Sequence, residues 1–279
     1  MMIDFFNQQL LIGFILAISI SMLSFKLGFL SKSGALAACL LGTIVFGLGG
    51  FSWAVVLMGF FISSSVLSKL FKRRKADLEE KFSKGSKRDV WQVWANGGVA
   101  GIFVIFHAFL PDAIWPWLAF SGAIAAVNAD TWATELGVLS MKNPINLVTG
   151  KVIDRGASGG VSFLGTFSAL LASLFIAFLA IFFWPDTIQT PTNSHSWLLM
   201  VGIASAGLFG SLVDSFLGAT VQAIYFCHRC NKETEKHPLH SCDTSTEFIR
   251  GWKWFNNDLV NTMCALTGGI VMILSTIGS

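Results

Sequence analysis

Acidic side chains interrupt several long apolar runs of this sequence. Asp130 and Glu135 lie in one run, Asp214 lies in another, and Asp258 begins a third. A carboxylate inside a membrane-spanning helix costs about 2.5–3.5 kcal/mol even on lenient insertion scales. Together these four residues are therefore predicted to be catalytic. The alternative is that they hold helices together through interhelical hydrogen bonds.

Asp130 and Glu135 are separated by five positions in the sequence. Five residues correspond to about 140° around a straight helix. The two carboxylates share a site only if the helix loosens before Gly137, or if Glu135 serves a neighbouring group.

A basic, glycine-rich segment, residues 151–162, follows this pair. Backbone amides at a helix N-terminus, with Lys and Arg nearby, form an anion site. Carboxylates beside such a loop suggest a metal–phosphate complex, in which Asp130, Glu135 and Asp214 hold Mg²⁺. The alternative is a flexible loop whose charge only sets topology. The predicted phosphate-binding residues are Lys151, Arg155, Gly156, Ser158 and Gly159, with Asn96, Asn128, Thr131, Asn257 and Asn261 orienting the phosphates.

Three of the five cysteines lie in one polar segment. Cys227 and Cys230 form a Cys-x-x-Cys pair, and His240 and Cys242 follow it, which suits tetrahedral zinc. Four protein ligands leave no open position, so the predicted zinc site is structural. His237 is a substitute ligand, and ordinary polar loop residues are the alternative.

Membrane-spanning helices must position these groups, because the sequence is too apolar for a soluble domain. Of its 279 residues, 53% are hydrophobic and 13% are charged. A span needs about 20 mostly apolar residues. We predict an all-α polytopic transmembrane bundle, a single domain over residues 1–279, with about eight spans placed roughly at 5–24, 34–50, 52–68, 91–110, 117–136, 160–184, 197–224 and 258–277.

All 19 Lys and Arg residues fall on one side of this arrangement. The basic loop 69–90 carries nine of them, so the positive-inside rule places it in the cytoplasm. The Gly-rich loop 137–159 and the Cys/His-rich loop 225–257 fall on the same side, and both termini fall outside. The strip Lys69–Arg88 is either an amphipathic surface segment beside anionic lipids or a topology determinant. The carboxylates lie in the cytoplasmic half, where a soluble nucleotide reaches them.

Several stretches of the sequence match those of a known membrane protein family. They are Ser33-Gly34-Ala35 with Gly42, residues 88–98, Asn128-Ala129-Asp130-Thr131-Trp132-Ala133-Thr134-Glu135-Leu136-Gly137, Gly156–Ser162, 214–219 and 254–261. In these stretches the sequence resembles the family that includes the plant and cyanobacterial phytyl-phosphate kinase of tocopherol synthesis and an animal transmembrane protein. It is more distantly similar to CTP-dependent lipid kinases such as phytol kinase and dolichol kinase.

The resemblance implies an isoprenyl-monophosphate kinase acting on a phytyl- or geranylgeranyl-phosphate-like substrate. It implies CTP as the nucleoside triphosphate, Mg²⁺ as the cofactor and the lipid bilayer as a partner. Asp130 and Glu135, with Asp214 or Asp258, would hold Mg²⁺ and the triphosphate. No nucleic-acid partner is expected, and the oligomeric state stays open. The alternatives are a transporter or lipid flippase with ion-coupling carboxylates, and a lipid cytidylyltransferase.

Overall fold

A computed structural model of the protein describes residues 2–71 and 87–277. Eight helices carry most of these residues, which confirms the predicted all-α bundle. The helices are α1 Met2–Lys26, α2 Lys32–Gly49, α3 Phe51–Leu70, α4 Val90–Phe109, α5 Trp115–Gly137, α6 Phe163–Phe182, α7 Asn193–Thr220 and α8 Asn257–Ile277. Each predicted span corresponds to one of these helices. We call the end that carries the α1–α2, α3–α4, α5–α6 and α7–α8 connections the basic end.

Two of the helices are shorter at the basic end than the sequence predicts. The sixth helix starts at Phe163 because Gly160–Val161 pairs as a strand and Ser162 accepts a hydrogen bond from the Gly165 amide at 3.1 Å. The seventh ends at Thr220, shortly before a strand begins at Ile224.

Two small sheets lie at the basic end, in segments that the sequence predicted only as loops. Strands β1 Ile145–Asn146 and β2 Gly160–Val161 pair antiparallel. Strands β3 Ile224–Cys227, β4 Lys232–Thr234 and β5 Glu247–Arg250 form an antiparallel sheet in the order β4-β3-β5. Most of the predicted basic loop 69–90, namely residues 72–86, lies outside the described residues.

Seven of the eight described helices are long and apolar enough to cross a membrane, and α5 is the exception. Helix α5 is buried from Pro116 to Ala129 and packs against α4, α6, α7, α8 and α3. Because its neighbours shield it from lipid, α5 carries Asn128, Asp130 and Glu135 without exposing them to hydrocarbon.

Small residues let the backbones of α5 and α8 touch. A Cβ atom added at Gly122 of α5 would collide with the carbonyl oxygen of Gly268, and one added at Gly268 would collide with that of Gly122. Close backbone approach through small residues is the usual packing mode between membrane helices, where the hydrophobic effect contributes little.

Aromatic side chains close the opposite end of the bundle. Trp53 and Trp117 are fully buried with ring centroids 4.9 Å apart, and Phe120 lies 4.8 Å from Trp53. His107, near the end of α4, packs against Trp53 with ring centroids 4.8 Å apart. The interior is therefore filled by rings at this end, whereas Asn128, Asp130 and Glu135 lie toward the other end of α5.

The contact between α5 and α8 predicts different effects for two glycine substitutions. Gly122→Ala forces the helices apart and should destabilise the protein by about 1–3 kcal/mol. Gly202→Ala, in α7, places its Cβ 3.6 Å from the nearest atom of Met272 and should be neutral. Thermal unfolding of both variants in the same detergent tests this. Equal midpoints would contradict the packing described here.

Candidate functional site

A polar cavity of about 300 Å³ lies at the basic end of the bundle. Helices α3, α4, α5, α6, α7 and α8 and the glycine-rich loop line it. Eleven residues predicted from the sequence come together there: Asn96, Asp130, Thr131, Glu135, Arg155, Gly156, Ser158, Gly159, Asp214, Asn257 and Asn261.

Asp130 of α5 and Asp214 of α7 form the centre of this cavity. Their carboxyl groups lie within hydrogen-bonding contact of each other. The Oδ2 atom of Asp214 is buried and has no hydrogen-bond partner within the described part of the chain. Two ionised carboxylates this close repel each other unless a proton or a cation lies between them. The pair therefore fits a hard divalent cation such as Mg²⁺, which prefers carboxylate oxygens.

Helix α5 stays helical through Gly137, so it does not loosen to turn Glu135 toward Asp130. Glu135 instead serves a neighbouring group. Its Oε1 atom accepts a hydrogen bond from Ser68 Oγ at 2.7 Å, and its charge acts on Arg88. Burial lowers the pKa of Arg88 to about 10, and the Glu135 carboxylate opposes that change. Arg88 remains a cation at neutral pH.

Arg88 is held by both its backbone and its side chain. Its amide donates to Phe29 O and its carbonyl accepts from Ser31 N, each at 3.0 Å. Its Nη2 atom donates to Ser64 Oγ at 2.8 Å, and the guanidinium lies 5.2 Å from the Phe60 ring centroid. Sequence reasoning missed Arg88 as a site residue because it stands at the end of a basic run. The available signal was its position immediately before the helix cap.

Two local features fix where Arg88 lies. Asp89 begins α4 with a capping box: its side chain accepts from the Gln92 amide at 2.9 Å, and Gln92 Oε1 accepts from the Asp89 amide at 3.1 Å. Gly34 of α2 lies directly against the Arg88 carbonyl oxygen, where a Cβ atom would collide with it. The conformation around Arg88 thus depends on one cap and one glycine.

The glycine-rich loop packs on the end of α7. Gly159 has φ of +82°, a conformation that favours glycine, and a Cβ there would meet Ala219 at 2.5 Å. Ser158 Oγ donates to Glu235 Oε1 at 2.9 Å, and Gln222 Nε2 donates to the same oxygen at 2.9 Å. The loop is therefore held by Glu235, which follows strand β4.

Arg250 of strand β5 holds the same region through main-chain oxygens. Its Nη1 atom donates to Gly218 O at 3.0 Å and Ala219 O at 2.9 Å, and its Nη2 donates to Ser158 O at 3.4 Å. Burial lowers the pKa of Arg250, and Glu233 opposes that change. Sequence reasoning missed Gln222, Glu235 and Arg250, because nothing in their spacing shows that the Cys/His-rich segment folds back onto the loop.

Three of the predicted catalytic and phosphate-binding residues do not line the cavity: Asn128, Lys151 and Asp258. Asn128 is fully buried, donates to Ala172 O at 3.0 Å and accepts from Ser63 Oγ at 3.1 Å, so it joins α5 to α6 and α3. Lys151 is exposed. Asp258 lies about 100° around α8 from Asn257, and Asn257 and Asn261 reach the cavity instead.

The four preferred zinc ligands also come together, outside the cavity. The ligand atoms of Cys227, Cys230, His240 and Cys242 all lie within 4.8 Å of one another. His237 is not among them, because its ring stacks on Tyr225 with centroids 4.4 Å apart.

An apolar groove of about 470 Å³ lies among α1, α2, α3 and the start of α4. Leucine, valine, phenylalanine and alanine side chains form most of its wall. Three residues line both this groove and the polar cavity: Arg88, Gln92 and Asn96. The two spaces therefore meet at a cation and two amides.

These features define a helical integral membrane protein with a carboxylate-bearing polar cavity beside an apolar groove. The chain belongs to the family described as Integral membrane protein DUF92, whose profile matches residues 15–269.

The relatives include two proteins of Arabidopsis thaliana. Protein PGR is 33% identical over 243 residues, covering 82% of this chain and 84% of that protein. The chloroplastic protein VTE6 is 28% identical over 251 residues, covering 88% of this chain and 65% of that protein. An uncharacterized membrane protein of Methanocaldococcus jannaschii is 25% identical over 247 residues, covering 88% of this chain and 85% of the relative. No solved structure matches this chain.

The Asp130–Asp214 pair predicts cation-dependent stability. Mg²⁺ should raise the unfolding midpoint of the wild type, since it binds the folded state and relieves the repulsion between the carboxylates. Asp214→Asn should abolish this Mg²⁺-dependent shift. Asp186→Asn, at an exposed position between α6 and α7, is the matched control and should keep it. Thermal unfolding with Mg²⁺ and with EDTA measures both. An undiminished shift in Asp214→Asn would exclude this pair as the cation site.

Proposed function

We propose that the protein is a membrane isoprenyl-monophosphate kinase that uses a nucleoside triphosphate, CTP by the family resemblance, to form the lipid diphosphate. The observation that carries the proposal is the junction of the apolar groove with the polar cavity at Arg88, Gln92 and Asn96. A ligand that fills both spaces has an apolar tail and an anionic head. A lipid phosphate has that chemistry.

The groove suits a long, narrow tail. It follows α3 from Phe51 to Ile62, about 16 Å at the rise of an α-helix. The tail leaves one apolar medium, the bilayer, for another, so its transfer supplies little hydrophobic free energy. The groove instead orients the tail and brings the head to Arg88.

The polar cavity contains the groups that bind phosphates. Arg88 and Arg155 are cations at the cavity wall, and the amides of the 156–160 loop lie close by. Guanidinium groups and backbone amides are the usual donors to phosphate oxygens. Asn96, Asn257 and Asn261 add amide groups that can orient the triphosphate or the lipid phosphate.

Asp130 and Asp214 are the residues that would hold Mg²⁺. When bound, the cation would neutralise charge on the triphosphate. An oxygen of the lipid monophosphate attacks the γ-phosphorus, the bond from that phosphorus to the β,γ-bridging oxygen breaks, and the nucleoside diphosphate leaves. The attacking monoester is largely ionised near neutral pH, so positioning and charge neutralisation carry the rate without a strong general base.

The aromatic end of the bundle favours this proposal over a transporter. Transporter sites lie near the bilayer midplane and are reached alternately from both sides. Here the polar groups lie at the basic end, and fully buried Trp53, Trp117 and Phe120 fill the other end. By the predicted sidedness, the proposed site faces the cytoplasm.

Labelled CTP tests the reaction directly. The purified protein, with Mg²⁺ and phytyl or geranylgeranyl phosphate, should transfer label from γ-labelled but not α-labelled CTP to the lipid. Asp130→Asn should lower kcat by at least about 100-fold, the usual loss when transition-state charge stabilisation is removed. Asp186→Asn should retain the wild-type rate.

The same experiment separates the alternatives. Transfer of α-label to the lipid would indicate a cytidylyltransferase instead. If no product forms with any of several tail lengths and nucleotides, the kinase proposal is excluded.

The groove predicts a dependence on tail length. Ala54→Phe adds a ring to the α3 wall and should raise KM for a geranylgeranyl substrate by about 10-fold, through steric overlap with the tail. A substrate with a five-carbon tail should be unaffected. Ala108→Phe, on the exposed face of α4, is the matched control. Equal KM changes for the long and short tails would place the tail elsewhere.

A further inference from the structure

We propose that Cys227, Cys230, His240 and Cys242 bind one structural Zn²⁺ ion that holds the glycine-rich loop in place through Glu235 and Arg250. This metal site is separate from the carboxylate pair and does not depend on the reaction proposed above.

All four ligand atoms lie within 4.8 Å of one another, and two of their separations are already those of a zinc site. Bond lengths of about 2.0–2.3 Å place tetrahedral ligand atoms about 3.3–3.8 Å apart. Cys227 Sγ and Cys242 Sγ are 3.6 Å apart, and His240 Nδ1 is 3.4 Å from Cys242 Sγ. All five cysteines are free thiols, so no disulfide explains the cluster.

The local backbone brings these ligands together. Cys227 ends β3, and Cys230 lies in the turn that leads into β4. His240 lies in a turn where its amide donates to Thr244 O at 2.9 Å and its carbonyl accepts from the Asp243 amide at 3.0 Å. Arg229 Nη1 donates to the Cys242 carbonyl at 3.2 Å and places a positive charge beside the thiolates. Such outer contacts orient metal ligands.

A bound metal would stabilise this small sheet. Its strands contain four, three and four residues. Units this small seldom hold their structure without a disulfide or a metal. The residues that clamp the loop, Glu235 and Arg250, lie just beyond β4 and at the end of β5. Any loosening of the sheet therefore loosens Ser158 and Gly159.

The metal content of the full-length protein tests the site. Wild type purified without added metal should carry about one zinc per chain by mass spectrometry. Cys227→Ser and Cys242→Ser should each carry less than about one tenth of an equivalent. Cys39→Ser, in α2, is the matched control and should keep the full equivalent. Cobalt substitution should give the thiolate charge-transfer bands of a tetrahedral site.

Hydrogen exchange tests whether the metal holds the glycine-rich loop in place. It depends neither on activity nor on whether the serine variants fold. Chelation of zinc from the wild type should accelerate amide exchange in residues 155–162, and added Zn²⁺ should reverse it, while α6 exchange stays unchanged. Glu235→Ala should keep its zinc and show the same accelerated loop exchange.

Three results would overturn the inference. The first is a wild type without zinc, and the second is full zinc in both serine variants. The third is chelation that leaves exchange in the 155–162 loop unchanged, which would show that the metal does not hold the loop.

Discussion

The structure depends on keeping the carboxylates of α5 away from lipid. Asp130 and Glu135 can lie in a membrane bundle only because other helices surround α5. That constraint explains the small residues along its buried face, which let α7 and α8 approach closely. It also explains why α5 lacks the apolar character of a lipid-facing span. The approach of α7 brings Asp214 to Asp130 and creates the site.

The two ends of the bundle differ in the side chains that line the interior. Rings fill the interior at one end, whereas carboxylates, arginines and amides line a cavity at the other. Arg88 connects that cavity to an apolar groove, and its position depends on contacts from the α1–α2 connection, α3 and the α4 cap. The opposite wall of the cavity, the glycine-rich loop, depends on the small sheet that carries the cysteine cluster. The proposed lipid thus enters the cavity along the Arg88 wall, and the glycine-rich loop on the opposite wall offers donors to the phosphates.

The helices and the central acidic residues of the site were predictable from the sequence. The role of Arg88 and the exact set of residues that line the cavity were not, because they depend on tertiary packing. Runs of apolar residues locate the helices because bilayer thickness sets their length. Asp130 and Asp214 stand out because a carboxylate in such a run is costly. Arg88 differs in sequence from the charges that set topology only by its position immediately before the helix cap. The sequence predicts Asn128 and Asp258 as site residues although neither lines the cavity, because the rotation of a helix against its neighbours depends on tertiary packing.

Photocrosslinking with a diazirine-tailed isoprenyl monophosphate tests whether one lipid phosphate occupies both the groove and the cavity, with its head at Arg88. Adducts should form on α2 between Ala38 and Phe46 and on α3 between Ala54 and Ile62, along the groove. Excess unlabelled lipid phosphate should suppress them, whereas the corresponding alcohol should not. Adducts confined to the exposed face of α6, or labelling that the alcohol suppresses equally well, would rule out this mode of lipid phosphate binding.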